Sequence, residues 1–365
     1  MKSVLITGSN GLIGSACVEK FASEGWKVIG LDNNMRGQIF GDDGSTKKTG
    51  EKLSKKLKNS EFIECDIRDN KVVEPLIEGV DAVVHCAAQP SHPRSLEIPL
   101  EDFQINAWGT LNLLEMVRKN NPDIPFAFMS TNKVYGDAPN FFRYEVVGRR
   151  FENTQYDSFD EKLQIDHCGH TPFGVSKVAA DLYCQEYAIN YGLKTATFRG
   201  GCLIGSNQKA VEMHGFLGFF TKQILLKNKL KLYGGGLRVR DNIHSSDVAE
   251  VLHTWVCNPR PNQLGKYGTA YNLGGMRENS VSIFETIDAC EAKTGFKAIW
   301  EEAPERESDH IWWISDMSRF KKDYPLWKGL TKDLDYIFNE LLQNWIDVFG
   351  LKVKLKEKDY FRKIR

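Results

Sequence analysis

Three glycines set the first chemistry. Gly8-Ser9-Asn10-Gly11-Leu12-Ile13-Gly14 follows the apolar run Val4–Thr7 directly and opens a stretch in which Ile13, Ala16, Cys17 and Phe21 recur at helical spacing. A chain that turns sharply from strand to helix, admits a pyrophosphate to its backbone and packs that helix tightly on a sheet needs glycine at each step. The helix N-terminus adds amide donors and a positive dipole end. Asp32 stands 18 residues after Gly14, at the end of the next strand-like run. A carboxylate there accepts from adenosine ribose hydroxyls and disfavours a 2′-phosphate. The pattern predicts a dinucleotide site that prefers NAD to NADP; Arg36, close by, argues the other way.

These residues need a particular frame. Apolar, β-rich runs occur at Val4–Thr7, Lys27–Asp32, Glu61–Asp66, Asp81–Ala87, Phe126–Thr131 and Thr195–Gly200. Helix-period segments lie between them, among them Ile105 to Val117 and Val178 to Ala188. Strands apolar on both faces belong to a parallel sheet covered by helices on both sides, which predicts an α/β, doubly wound, Rossmann-type fold. Two insertions break the rhythm. Met35–Ser60 is polar and lysine-rich and reads as a solvated loop with a short helix; Ala138–Gly169 is long enough for a binding lid. The boundaries follow: residues 1–200, also receiving about 237–275, form the nucleotide domain; 201–236 and 276–350 form a smaller substrate-binding lobe; 351–365 is a basic tail expected to be solvated and partly disordered.

Composition narrows the class. The 48 basic and 48 acidic residues balance, whereas nucleic-acid and anionic-membrane binders need a basic surplus. No apolar run approaches a membrane span or a secretory signal. The eight cysteines form no CxxC or other close pair, so neither a disulfide framework nor a metal site is expected, and a reducing, cytoplasmic setting is.

In order along the chain stand TGSNGLIGS, CDIRD (Cys65–Asp69), HCAAQ (His85–Gln89), INAWGTLNLLE (Ile105–Glu115), STNKVYGD (Ser130–Asp137), FGVSK (Phe173–Lys177), VRDNIHSSD (Val239–Asp247), NLGG (Asn272–Gly275) and RESD (Arg306–Asp309). With these motifs the sequence resembles the NAD-dependent nucleotide-sugar epimerases and dehydratases of the extended short-chain dehydrogenase/reductase superfamily. STNKVYGD with HTPFGVSK looks most like the branch that epimerises CDP-paratose at C2. The resemblance implies bound NAD, transient oxidation of an NDP-sugar (a CDP-sugar favoured) to a keto-sugar, and a homodimer joined through helices at Gln104–Lys119 and Phe173–Tyr191. It implies cofactor contacts from Gly8, Asn10, Gly11, Leu12, Ile13, Gly14, Asp32, Asn33, Asn34, Asp66, Ile67, Ala87, Ala88, Gln89, Asn106 and Lys177. Substrate contacts fall to Ser91, Asn132, Lys133, Cys202, His214, Arg240, Arg306 and Asp309, with the two arginines gripping the diphosphate. The segment Gln89–His92, after a strand end, lines the sugar pocket on the same ground.

The family's proton chemistry uses a Ser or Thr, a tyrosine and, four residues on, a lysine whose charge favours the phenolate. Thr131 takes the first place and Lys177 the last, but the tyrosine place holds Phe173, which has no proton to give or accept. Four explanations stay open: an engineered Tyr→Phe change, another base (His170, Asp166, Cys202, His214 or Glu212), Lys177 itself, or a chain that binds without catalysing. His170 either relays a proton or fixes its loop. A different reaction on an NDP-sugar, such as dehydration, decarboxylation or net dehydrogenation, shares the oxidation step.

Overall fold

The computed structural model describes residues 1–205, 207–208, 215–305 and 309–364. Seven strands build the main sheet: β1 (Ser3–Thr7), β2 (Lys27–Asp32), β3 (Ser60–Glu64), β4 (Ala82–His85), β5 (Phe126–Thr131), then, after the hairpin β6 (Tyr144–Val147) and β7 (Arg150–Asn153), β8 (Thr195–Gly200). After β9 (Cys202–Ile204), β10 (Lys229–Tyr233) and β11 (Val239–His244), the seventh member is β12 (Thr269–Leu273). The order β12-β8-β5-β4-β1-β2-β3 is parallel throughout. The chain leaves β1 toward β2 and β3, then returns to its other side through β4. That reversal opens a crevice at the carboxyl ends of the strands.

Alternation along each strand feeds two cores. Val4 and Ile6 enter one with Ala127 and Met129, while Leu5 enters the other with Phe126 and Phe128. Helices Leu12–Ser23 and Ser245–Cys257 cover the first face; Asn70–Glu78, Gly109–Asn120 and Pro172–Tyr191 cover the second. Both sides are therefore apolar, as the sequence required. A third core joins Leu217, Phe220, Leu230, Leu232, Ile287 and Phe338 from helices Phe216–Leu225, Ile283–Thr294 and Leu334–Phe349 and from β10. Its middle helix begins with a reciprocal cap, Ser282 accepting from the Glu285 amide and Glu285 from the Ser282 amide. The remaining strands are β13 (Ser280–Ser282), β14 (Ile299–Ala303) and β15 (Trp312–Trp313); β14 pairs with β10, and β13, β15 and β9 pair with β11.

Four segments differ from expectation. Met35–Ser60 holds two helices, Met35–Phe40 and Lys47–Lys56, buries Thr46 and Thr49, and sends Leu53 into the core beside the first helix, so its lysines cover a packed edge. Ala138–Gly169 is a brace and not a lid. Its Phe159 packs on Trp312 and Trp313 at 5.3 and 5.5 Å, and Arg150 pairs with Glu285. Within the expected lobe 276–350, Met317, Phe320 and Tyr324 join the core of the main sheet. The basic tail packs: Leu351, Val353 and Leu355 lie on the third core and Phe361 is buried in it. Buried Lys293 donates to the carbonyls of Glu357 and Lys358 and pairs with Asp335 at 2.8 Å, which anchors the tail despite its charge.

Candidate active site

One cavity of about 430 Å³ runs from the glycine turn, past the ends of β4 and β5, to β10, β11 and Asp309. The turn leaves no room for a side chain. Gly8 adopts φ +68°, and a Cβ there would meet the Ala87 amide nitrogen at 2.8 Å; one on Gly14 would meet the Gly8 carbonyl oxygen at 2.0 Å. Such a backbone cradle fits a pyrophosphate. Asp32 faces the same cavity. Its carboxylate accepts from the amides of Asn10 (3.0 Å) and Asn34 (2.8 Å) and from the Thr46 hydroxyl, and burial raises its pKa. Leu12, Ile13, Asn33, Asp66, Ile67, Ala87 and Ala88 complete this wall with Gly11. Asn10 and Asn34 hold Asp32 in place and are not part of the lining. Arg36 does line it, its guanidinium pulled down to about 10 by burial.

Three residues expected at the ligands stand behind the wall. Gln89, Ser91 and Asn106 are fully or almost fully buried and none lines the cavity. The Gln89 side-chain amide donates to the Ser91 carbonyl (2.8 Å) and to Asp102 (2.7 Å), and the Ser91 amide donates to the Gln89 side-chain oxygen (2.7 Å). Asn106 accepts from the Gln89 amide and donates to Asp102 and Ser176. These buried polar groups satisfy one another and fix the loop after β4.

At the middle of the cavity, Thr131, Phe173 and Lys177 come together. Lys177 and Phe173 share a face because they are four residues apart on one helix. The Lys177 ammonium donates to the Met129 carbonyl at 2.8 Å and lies 4.1 Å from the centre of the Phe128 ring; burial lowers its pKa to about 8. Thr131 Oγ1 accepts from the Lys133 amide at 3.2 Å. His92 lines the cavity too, its ring centre 6.5 Å from that of Phe173. His170 does not: its ring nitrogens lie 3.2 and 2.9 Å from the carbonyls of Cys168 and Val134, so it fastens its loop. Asp166 is exposed beside His167.

The far end is cationic. Arg240 donates to Asp309 at 2.6 Å, Lys133 stands 3.9 Å from the same carboxylate, and Arg238 donates to the Asp309 carbonyl. Burial would raise the Asp309 pKa, but Arg240, Lys133 and Arg238 hold it well below the carboxylate range. Burial, opposed by Asp309, lowers Lys133 to about 8; burial, opposed by Arg240 and Lys133, pushes the Cys202 thiol up to about 12. Asn132 lines the cavity beside Lys133. His214, Glu212 and Arg306 lie outside the described residues. Arg238, Lys231, Tyr233, Thr46 and His310 line the cavity without having been singled out from sequence. Arg238 had a signal: it lies two positions before Arg240, at the entry to β11, where extended backbone would point alternate residues the same way.

The description "NAD dependent epimerase/dehydratase family" matches residues 4–274. CDP-paratose 2-epimerase of Salmonella typhi is 34% identical over 323 residues, covering 87% of this chain and 91% of that protein. A putative UDP-glucose 4-epimerase of Methanocaldococcus jannaschii is 30% identical over 342 residues, covering 92% and 98%. In fold, the chain is similar to the UDP-glucose 4-epimerase of Thermotoga maritima solved with UDP-glucose (TM-score 0.74, 23% identity, 95% and 99% of the chains). A mutant UDP-glucuronic acid 4-epimerase of Bacillus cereus, solved with NAD and a fluorinated substrate analogue, gives TM-score 0.78 at 21% identity, again over 95% and 99%. By the span of the family match and the identity to full-length relatives, this chain belongs to the NAD-dependent epimerase/dehydratase family.

Proposed function

We propose that this protein is a nucleotide-sugar epimerase that oxidises its sugar transiently to a keto-sugar and reduces it again, with a CDP-sugar as the favoured donor. The observation that carries the reading is the single cavity, which puts a glycine cradle and Asp32 at one end, Thr131 and Lys177 in the middle, and Lys133, Arg238 and Arg240 at the other. That order of groups suits a dinucleotide laid end to end with a nucleotide diphosphate sugar. The similarity to CDP-paratose 2-epimerase supports the choice of base and reaction.

The residues divide the work. Gly8, Gly11 and Gly14 let the cofactor's pyrophosphate reach the backbone, and Asp32 accepts from its ribose. When bound, NAD supplies the two-electron oxidant. Lys177 orients the nicotinamide ribose and places a positive charge near the reacting hydroxyl, while Thr131 hydrogen-bonds it. Arg240, held by Asp309, and Lys133 receive the diphosphate; Arg306 and His214 stay assigned to the donor by resemblance alone. The protein works as a cytoplasmic homodimer. Support comes from the outer face of Pro172–Tyr191 and from the short helix Pro99–Phe103, where Val175, Leu182, Ile189 and Tyr191, with Leu100 and Phe103, are exposed. All eight cysteines are free, and no helix among the described residues is long and apolar enough to cross a membrane.

Phe173 favours one other reading, a protein that binds NAD and a nucleotide sugar without turning them over. Incubation with CDP-, UDP-, GDP- and dTDP-sugars, followed by isomer separation, decides between them. An equal-mass isomer from a CDP-sugar is expected. Recovery of every donor unchanged, with NAD present in the acid extract, would establish the silent binder.

A further inference from the structure

Phe173 leaves a vacant role: something must take the sugar hydroxyl's proton as the carbonyl forms. We propose that His92 is that catalytic residue, an inference that rests on the epimerase reading above. The geometry places the two rings as a pair. Both line the cavity with Thr131 and Lys177, 6.5 Å apart between centres and inclined at 31°. One side chain ties their backbones together: the Ser95 hydroxyl donates to the His92 carbonyl at 2.7 Å and accepts from the Phe173 amide at 3.0 Å. The short helix His92–Ser95 starts at Ser91, whose side chain caps it and whose amide is held by buried Gln89. The imidazole therefore projects from a loop fixed to the helix that carries Lys177.

The other described candidates fail on position or protonation. His170 is off the cavity and Asp166 is exposed. The Cys202 thiol, pushed up to about 12, keeps its proton near neutrality. Lys177, at about 8, is mostly charged at pH 7, and both the Met129 carbonyl and the Phe128 ring favour that form. A neutral imidazole accepts a proton there without prior ionisation. In the step, the O–H bond breaks and its proton goes to a ring nitrogen of His92 as the C=O bond forms; NAD, held by the glycine turn and Asp32, would supply the oxidant for the hydride that the carbon gives up. The return of both restores the alcohol, so no further reactant is consumed.

Four proteins test this: the native chain, His92→Gln, Phe173→Tyr and the double variant. Each is assayed with the whole panel of CDP-, UDP-, GDP- and dTDP-sugars. Retained NAD is measured by acid extraction and donor Kd by calorimetry. His92→Gln is expected to lower turnover about 100-fold or more with donor Kd and NAD content unchanged, and the added phenol of the double variant to recover much of the loss. Native-like turnover in His92→Gln overturns the assignment. So does a loss matched by weaker donor binding, or a double variant no faster than His92→Gln. If only Phe173→Tyr turns a donor over, His92 is not an acceptor but the site reading stands; if no protein does, both fall.

Discussion

The two ends of the cavity are built on opposite plans. The cofactor end draws most of its wall from short stretches that close βα turns: Gly8 with Gly11–Gly14, Asp32–Asn33, Asp66–Ile67 and Ala87–Ala88. Each lies at the carboxyl end of a parallel strand. The donor end gathers the side chains of Lys133, Cys202, Lys231, Arg238, Arg240 and Asp309, brought in from the segments after β5 and β8, from β10 and β11 with their connection, and from the approach to β15. Its charges also depend on one another, since Asp309 holds Arg240 and faces Lys133. The first end is fixed by backbone and sterics, the second by side-chain electrostatics. Mutations should therefore fail differently at the two ends.

The largest effect belongs to Gly14→Ala. The new Cβ would meet not only the Gly8 carbonyl oxygen at 2.0 Å but also its carbon at 2.6 Å, and backbone cannot swing aside as a side chain does. Either the turn opens or the helix Leu12–Ser23 lifts off the sheet. A tenfold or greater fall in retained NAD is expected in the acid extract, with a stability loss of about 1–3 kcal/mol in denaturant titration. Retention of native NAD content would mean that the cradle is not sterically fixed, and the contrast between the ends would dissolve.

How much of each end was legible follows from the same difference. The glycine turn, Asp32 and six of the seven strands of the main sheet could be read because local spacing encodes them; β12 was harder, since its ladder partner β8 lies about seventy residues back. The fastening of Ala138–Gly169 and of the tail was not legible. It depends on Phe159 meeting Trp312 and Trp313, and on Lys293 reaching tail carbonyls, contacts that no local pattern announces. Gln89, Ser91 and Asn106 show the opposite error. Gln89 and Ser91 follow the expected strand end and Asn106 lies on the helix facing them, yet all three turn inward to satisfy Asp102 and one another, because a buried carboxylate attracts nearby donors. Arg238 escaped notice because its neighbour Arg240 carried the motif.

At the donor end, Arg240→Lys should cost less and cost something else. The charge and the partnership with Asp309 survive, but the planar fork that matches phosphate oxygens is lost. Calorimetry with a CDP-sugar should show a Kd about tenfold weaker, or roughly 1.4 kcal/mol, while retained NAD is unchanged. A loss of NAD in this variant would show that the ends are coupled and would break the comparison from the other side.

The last effect concerns Lys177, between the two. Its ammonium has a pKa near 8, against 10.5 for an exposed lysine, because burial disfavours the charge. Between those values the unfolded chain binds a proton that the folded chain has shed, so stability gains from rising pH in that window. Below pH 8 both states are charged and the folded one carries the whole burden of burying the ammonium. Lys177→Met removes the dependence. The native-minus-variant difference in unfolding free energy, from denaturant titrations at pH 8 and pH 10, should therefore rise with pH, and other titrating groups cancel because both proteins hold them. A flat difference would mean that the Met129 carbonyl and the Phe128 ring offset burial fully. Lys177 would then act as an ordinary surface charge, with no tuned character to lend to either end.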